Sequence, residues 1–154
     1  MIDPTHRTWS DDEERALRLW IALARAYSTF SREVAARVAE YGLTTPQFGV
    51  LEALHHVGPL SLGELADKLL VTGGNVTYVM DRLEDQGLVF RERSDDDRRI
   101  VRAHLTEKGR DLVREVFPGH ATFISEVVGH LTHDEQQELR RLLKKLGKEM
   151  RPER

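Results

Sequence analysis

SLGELADKLLVTGGNVTYVMDRLEDQGLVFRERSDDDRRIVRAHLT, residues 61–106, holds the order of parts that decides the fold. Ser61 and Glu64 have the spacing of a capping box, and Leu62, Leu65, Ala66 and Leu69 follow at helical intervals. Val71-Thr72-Gly73-Gly74 reads as a turn, with Thr72 as N-cap of a second helix that buries Val76, Val79, Met80 and Leu83 and stops at Gly87. Two capped helices joined by a few residues predict a helix-turn-helix. Residues 88–93 and 100–105 are short β-favouring segments around the polar run 94–99, as a two-stranded hairpin requires. A helix narrow enough for a major groove, beside a finger tipped by Asp95, Asp96, Asp97, Arg98 and Arg99, is what a duplex-binding module needs.

Upstream, residues 11–41 carry Leu17, Trp20, Ala24, Tyr27, Phe30, Val34, Val38 and Tyr41 in one stripe, with Ser10, Asp11 and Asp12 giving an acidic start. A helix of about thirty residues extends about 45 Å at ~1.5 Å per residue, more than a small domain needs, so part of the stripe must meet something else. Gly42 ends it, and Thr45 as N-cap with Pro46 at the first helical position starts the next helix, whose face carries Phe48, Leu51, Leu54 and His55 up to Gly58-Pro59. Downstream, Thr106 caps a helix bearing Leu112, Val113, Val116 and Phe117. Pro118-Gly119 predicts a kink or break near Phe117 before Phe123, Ile124, Val127, Val128 and Leu131. Thr132 and Glu135 cap a last helix with Leu139, Leu142, Leu143, Leu146 and Met150, and residues 151–154 are expected to fray.

Composition excludes several alternatives. The 154-residue chain, 40% hydrophobic, suffices for one compact domain with an assembly element but not for two large ones. Its net charge of −3 is not basic, so any nucleic-acid affinity must be local. The absence of cysteine removes disulfides, thiolate metal sites and thiol switching. No apolar run approaches the ~20 residues that span a bilayer and no signal pattern is present, so the expectation is a soluble cytoplasmic protein, associated with the nucleoid and without a membrane partner.

Asp81-Arg82-Leu83-Glu84-Asp85-Gln86-Gly87-Leu88-Val89, then Asp97-Arg98-Arg99, then Leu105-Thr106-Glu107-Lys108-Gly109 resembles the MarR family of bacterial winged-helix transcriptional regulators, and the flanking helices follow the family's order over nearly the whole chain. The resemblance implies a homodimer whose first and last two helices interlock and whose two lobes read a pseudo-palindromic operator. It also implies, in many members, a repressor released by a small, often aromatic or anionic ligand. Arg99 matches the family's wing arginine, with Asp97 bracing it. The expected fold is mainly α with a small β-hairpin wing: an N-terminal dimerisation helix in residues 1–41, a winged helix-turn-helix lobe in 42–105 and C-terminal dimerisation helices in 106–154, integrated as one domain.

On the second helix of the motif, the buried face leaves Asn75, Tyr78 and Arg82 on one outward stripe and Gly74, Thr77 and Asp81 on an adjacent one. Asn pairs with an adenine edge, Thr and Tyr reach phosphates or a thymine methyl, and Gly73-Gly74 let the helix start approach a phosphate. Arg98 and Arg99 suit a narrow, negative minor groove. The candidate DNA-binding residues are therefore Ser61, Thr72, Gly74, Asn75, Thr77, Tyr78, Arg82, Arg98 and Arg99, with Arg91, Arg93 and Arg102 as strand support and Lys68 within the module. Alone, each pattern also fits a solvated face or a charged turn. Asp95 and Asp96 would repel phosphates unless turned away or neutralised, and Ser61 is equally explained as a cap.

Seven histidines raise a metal site, but neither His55-His56 nor His130 with His133 supplies the three or four convergent ligands zinc needs, so no metal or other cofactor is expected. Trp20, Phe48, Leu51, His55 and Phe117 are the candidate lining of a ligand cavity, in the place where the resembled family has one; plain core packing is the competing explanation. The main functional expectation is a ligand-responsive, dimeric DNA-binding regulator, and the alternative is a winged-helix protein–protein module. An enzyme is not expected, because no activated nucleophile, phosphate loop or apolar carboxylate pair is found.

Overall fold

A computed structural model describes residues 8–69 and 73–149. It contains α1 (Asp11–Ala39), α2 (Thr45–Val57), β1 (Leu60–Ser61), α3 (Leu62–Leu69), α4 (Gly73–Asp85), β2 (Val89–Arg93), β3 (Val101–Leu105), α5 (Glu107–Val128) and α6 (His133–Glu149). The roles given to Val71, Thr72, Met150 and residues 151–154 lie outside the described residues.

Local chemistry starts most of these helices. Ser10 and Glu13 close a capping box on α1, whose first turn is acidic throughout. At α2 the cap is Thr44 rather than Thr45: the Thr44 hydroxyl accepts from the Gln47 N–H at 3.3 Å while Gln47 Oε1 accepts from the Thr44 N–H at 2.8 Å. The reciprocal partner three residues on decides between adjacent threonines. It also gives the amide of buried Gln47 a partner, and Pro46 moves to the second helical position, which still needs no intrahelical N–H bond. Ser61 and Glu64 box α3, and Thr132 and Glu135 box α6, as their spacing predicts.

The core is built where α2, α3, α4, the sheet and α5 meet. Leu51, Leu65, Val76, Met80, Leu83 and Val113 are almost fully buried, so the four inward positions expected on α4, which include Val79, are all core. The sheet has three strands rather than two, in the order β1-β3-β2, with Leu60 opposite Ala103 and Ser61 opposite Arg102. The hairpin register pairs Val89 with Leu105 and Arg93 with Val101.

The family-like Leu105-Thr106-Glu107-Lys108-Gly109 string has a mechanical explanation. The Thr106 hydroxyl donates to the Gly87 carbonyl at 2.7 Å and accepts from the Gly109 N–H at 3.0 Å, while Lys108 Nζ donates to the Gln86 carbonyl at 2.7 Å. The start of α5 thus satisfies carbonyls at the end of α4. Gly109 is obligatory by space: a Cβ there would lie 2.0 Å from the Leu88 carbonyl oxygen.

Of the kink or break expected near Phe117, the break does not occur: α5 passes through Pro118 and runs on to Val128. Pro118 sits on the exposed side, whereas Val113 and Val116 before it and Phe123 after it are buried, so packing on both sides offsets the lost backbone bond. Phe123 is held against α1 by Phe30, with ring centroids 6.5 Å apart, and by Arg37, whose guanidinium lies 4.3 Å from the ring centre. Of α1, Val38 is buried and Val34 packs on the core, while Leu17, Leu19, Trp20, Ile21 and Tyr27 stand exposed. The same holds for Leu139, Leu142, Leu143 and Leu146 of α6.

Candidate nucleic-acid interface

Burial of Val76, Val79, Met80 and Leu83 fixes the rotation of α4 and turns Gly74, Asn75, Thr77, Tyr78, Asp81 and Arg82 outward, all exposed. A Cβ on Gly74 would meet nothing within 4 Å, so no contact within the described chain requires glycine there, and the surface is left open to a close neighbour. Arg82 Nε donates to the Tyr78 hydroxyl at 3.3 Å and its guanidinium lies 5.3 Å from the Tyr78 ring centre. That contact carries the cation along the outward stripe, and the hydrogen bond it donates to Tyr78 raises an already high guanidinium pKa, so Arg82 stays charged. Ser61 does act as a cap, its oxygen accepting from the Glu64 N–H at 3.2 Å.

At the hairpin tip the Ser94 N–H donates to the Ile100 carbonyl and the Ile100 N–H to the Asp97 carbonyl, both at 2.9 Å. Asp97 Oδ1 accepts from the Arg99 N–H at 3.0 Å and lies 3.9 Å from Arg99 Nε. The carboxylate therefore faces its own loop, while the Arg99 side chain is 95% exposed. Arg98, Asp95 and Asp96 are exposed beside it.

Arg91 behaves differently from the phosphate support expected of it. Strand alternation puts it on the same sheet face as buried Val89, and its side chain is only 25% exposed. Nη2 donates to Asp81 Oδ1 at 2.5 Å and to the Thr77 carbonyl at 3.1 Å, and Nη1 lies 3.2 Å from Glu84 Oε2. The guanidinium is spent on α4, clamping the hairpin to the outward-facing helix and neutralising acids that would otherwise repel phosphate. Arg102 lies 3.9 Å from Glu64 on α3, while Arg93 is exposed. Sequence periodicity, taken outward from Val89, carried the signal for Arg91.

Of the five candidate ligand-lining residues, Phe48 and Leu51 share the core cluster and Phe117 packs against it, while Trp20 and His55 are not part of it. Leu51 is fully buried, Trp20 is 61% exposed on α1, and Phe48 and Phe117 meet around His120, with ring centroids 4.7 and 6.4 Å from it. His56 packs edge-on against Phe117 at 4.6 Å. His55 lines a different cavity, of about 220 Å³, with Leu54, Gly58, Pro59, Phe90, His104, Leu105 and Arg110. Among the described residues no three His, Asp or Glu side chains are grouped to hold a metal ion, and no helix is long and apolar enough to cross a membrane.

A sequence model of the MarR family matches residues 41–100. The transcriptional regulator MhqR of Bacillus subtilis is 38% identical over 134 residues, covering 87% of this chain and 92% of that protein. Among solved structures, E. coli MarR in complex with operator DNA superposes with a TM-score of 0.78 at 27% identity, covering 89% of this chain and 99% of that one. BpsR of Bordetella bronchiseptica, whose DNA binding is regulated by 6-hydroxynicotinic acid, gives a TM-score of 0.76 at 29% identity over 84% of this chain and 98% of that one.

Proposed function

Because this chain belongs to the MarR family of transcriptional regulators, we propose that it acts as a homodimeric repressor that places one α4 in each of two successive major grooves of a pseudo-palindromic operator. The observation that carries this is the clamped pair of reading elements: an outward stripe of Asn75, Thr77, Tyr78 and Arg82, joined through Arg91 to a hairpin that extends Arg99 into solvent. The stripe supplies base-edge contacts, and Arg98 and Arg99 supply minor-groove and phosphate contacts. Gly74 approaches the backbone at the start of α4, and Ser61 does so at the start of α3.

Residues 42–105 then form the reading lobe and the flanking segments, 1–41 and 106–154, the assembly part. The exposed leucines and aromatics of α1 and α6 support this, since contiguous apolar surface on a monomer is costly and burial contributes roughly 25 cal/mol per Å². A cytoplasmic place of action beside the nucleoid, no catalytic role and release by a small aromatic or anionic molecule complete the proposal, the last in line with the behaviour of BpsR. Selection of bound fragments from a random duplex library tests it. The expected product is an inverted repeat of roughly 16 to 20 base pairs with half-sites about one turn apart, bound more weakly as salt rises. Salt-insensitive or absent binding, with a stable foreign protein partner, would favour the protein–protein alternative.

A further inference from the structure

We infer that Tyr78 holds Arg82 as a guanine-reading fork, so that each half-site of the operator carries a guanine recognised through its O6 and N7 acceptors. This role rests on the DNA reading proposed for α4 and adds which base one of its side chains selects. Arg82 Nε donates to the Tyr78 hydroxyl at 3.3 Å, and the guanidinium lies 5.3 Å from the ring centre. Four residues along a helix amount to ~6 Å, so this contact draws the cation one turn back toward the N-terminal part of α4, the part that a recognition helix presents to base edges.

The kind of partner matters. Arg91, Arg110, Arg114 and Arg141 each meet a carboxylate, which partly cancels their charge. Arg82 instead leans on a phenol, a neutral acceptor that orients the guanidinium without neutralising it. The neighbouring acids do not take the phenol's place: Asp81 is held by Arg91 at 2.5 Å, and Asp85 and Asp81 act on Arg82 more weakly than Tyr78 does. Tyr78 is 58% exposed and Arg82 is exposed beside it, so the pair faces solvent.

With Nε engaged, the two terminal nitrogens of Arg82 remain as a planar, end-on pair of donors. Guanine alone places two acceptors, O6 and N7, side by side in the major groove; adenine sets a donor beside its N7, cytosine offers a donor, and thymine a single acceptor beside a methyl. An end-on fork therefore accepts guanine and meets a repelling hydrogen or a missing partner at any other base. The Tyr78 hydroxyl, having accepted from Nε, still has its own hydrogen to donate to a phosphate, which would fix the depth of the pair in the groove. A phosphate would take the Arg82 fork equally well but with no regard for sequence, and that is the outcome to be excluded.

Selection from a random-core duplex library with the wild-type protein and with Arg82→Ala, followed by anisotropy titrations of the wild-type consensus duplex, tests the assignment. The wild-type selection is expected to give an inverted repeat with a G·C pair held in each half, and that preference alone should relax in Arg82→Ala. Putting 7-deazaguanine at those two positions replaces N7 by a C–H group; it should weaken the wild type about tenfold and leave Arg82→Ala unaffected. Tyr78→Phe keeps the ring but not the hydroxyl, so the 7-deazaguanine penalty should fall to about threefold, whatever the loss of overall affinity. A tyrosine that only supported the helix would leave that penalty unchanged. An Arg82→Ala protein that binds more weakly but selects the same bases at every position puts the guanidinium on a phosphate and overturns guanine reading, while the DNA-reading role of α4 stands. Absence of a 7-deazaguanine penalty at every selected guanine in the wild type, or an equal penalty in Arg82→Ala, overturns it too. An undiminished penalty in Tyr78→Phe removes the positioning by Tyr78. No enriched sequence with the wild-type protein would defeat the regulator reading as well.

Discussion

Replacing Arg91 by Ala should uncouple the hairpin from α4 and thereby take most of Arg99's contribution from DNA binding, although Arg91 itself touches no DNA in this proposal. Arg91 makes three polar contacts to α4, two of them to carboxylates, from a side chain that is 25% exposed, with Glu84 at 31% and Asp81 at 56%. Charge-assisted bonds of this kind contribute about 1.5–3 kcal/mol each when shielded, but far less when solvent screens them, so the clamp as a whole is expected to hold about 1–3 kcal/mol. In the wild-type protein, Arg99→Ala should weaken operator binding by about 2 kcal/mol, near thirtyfold. In the Arg91→Ala background the tip is no longer held in register with the groove that α4 occupies, and the same change should cost only about 0.7 kcal/mol, near threefold. The assay is fluorescence anisotropy of a labelled operator duplex with the four proteins of this cycle, after circular dichroism has shown that each is folded. If Arg99→Ala costs the same factor in both backgrounds, the two elements read independently and the clamp has no functional role.

Other expectations follow from single features. Leu139→Glu with Leu143→Glu, on the exposed face of α6, should convert the protein to monomers in sedimentation analysis at micromolar concentration; an unaltered dimer would place the interface elsewhere. Gly109→Ala should lower stability by more than about 2 kcal/mol, because the new methyl overlaps the Leu88 carbonyl oxygen; a melting temperature within about a degree of wild type would contradict the crowding. The Glu64 carboxyl is held below its ordinary value of 4.5, first by the hydrogen bond from the Ser61 N–H and then by that from its hydroxyl. Its folded-state value is thus lower than the unfolded one, so its contribution is present above about pH 4.5 and is lost as pH falls through the lowered value. Glu64→Gln, which keeps an acceptor but cannot titrate, should flatten that part of an acid-unfolding curve; an identical curve would remove the box from the acid response. Finally, Arg98→Ala and Arg99→Ala should each reduce the slope of log affinity against log salt by about 1, and an unchanged slope would take that arginine off the phosphates.

Much of the reading surface was legible because helical periodicity fixes direction: once Val76, Val79, Met80 and Leu83 were assigned inward, the outward positions of α4 followed, and the structure agrees. Strand β1 escaped because two residues cannot display alternation, and its partner is some forty residues away. Thr44 was identifiable in principle, since Gln47 stands three residues after it and not after Thr45. Of the kink or break expected at Pro118, a break is overruled by packing on either side, which no local rule contains. The ligand-lining residues were the weakest inference: an inward aromatic stripe says that a ring is covered, not whether solid core or a hollow covers it. Leu51 proved to be core, and His104, which faces a hollow, was marked by no periodicity at all.

The bare first half of α1 reaches beyond questions of assembly. Leu17, Leu19, Trp20 and Ile21 gain little from their own chain, so in the proposed homodimer what holds this segment in place is supplied by mass action when a second copy arrives. Thermal midpoint should then climb with protein concentration. On that proposal, a cell making few copies leaves each chain with this greasy surface uncovered for longer, and the regulator's stability would track its own abundance.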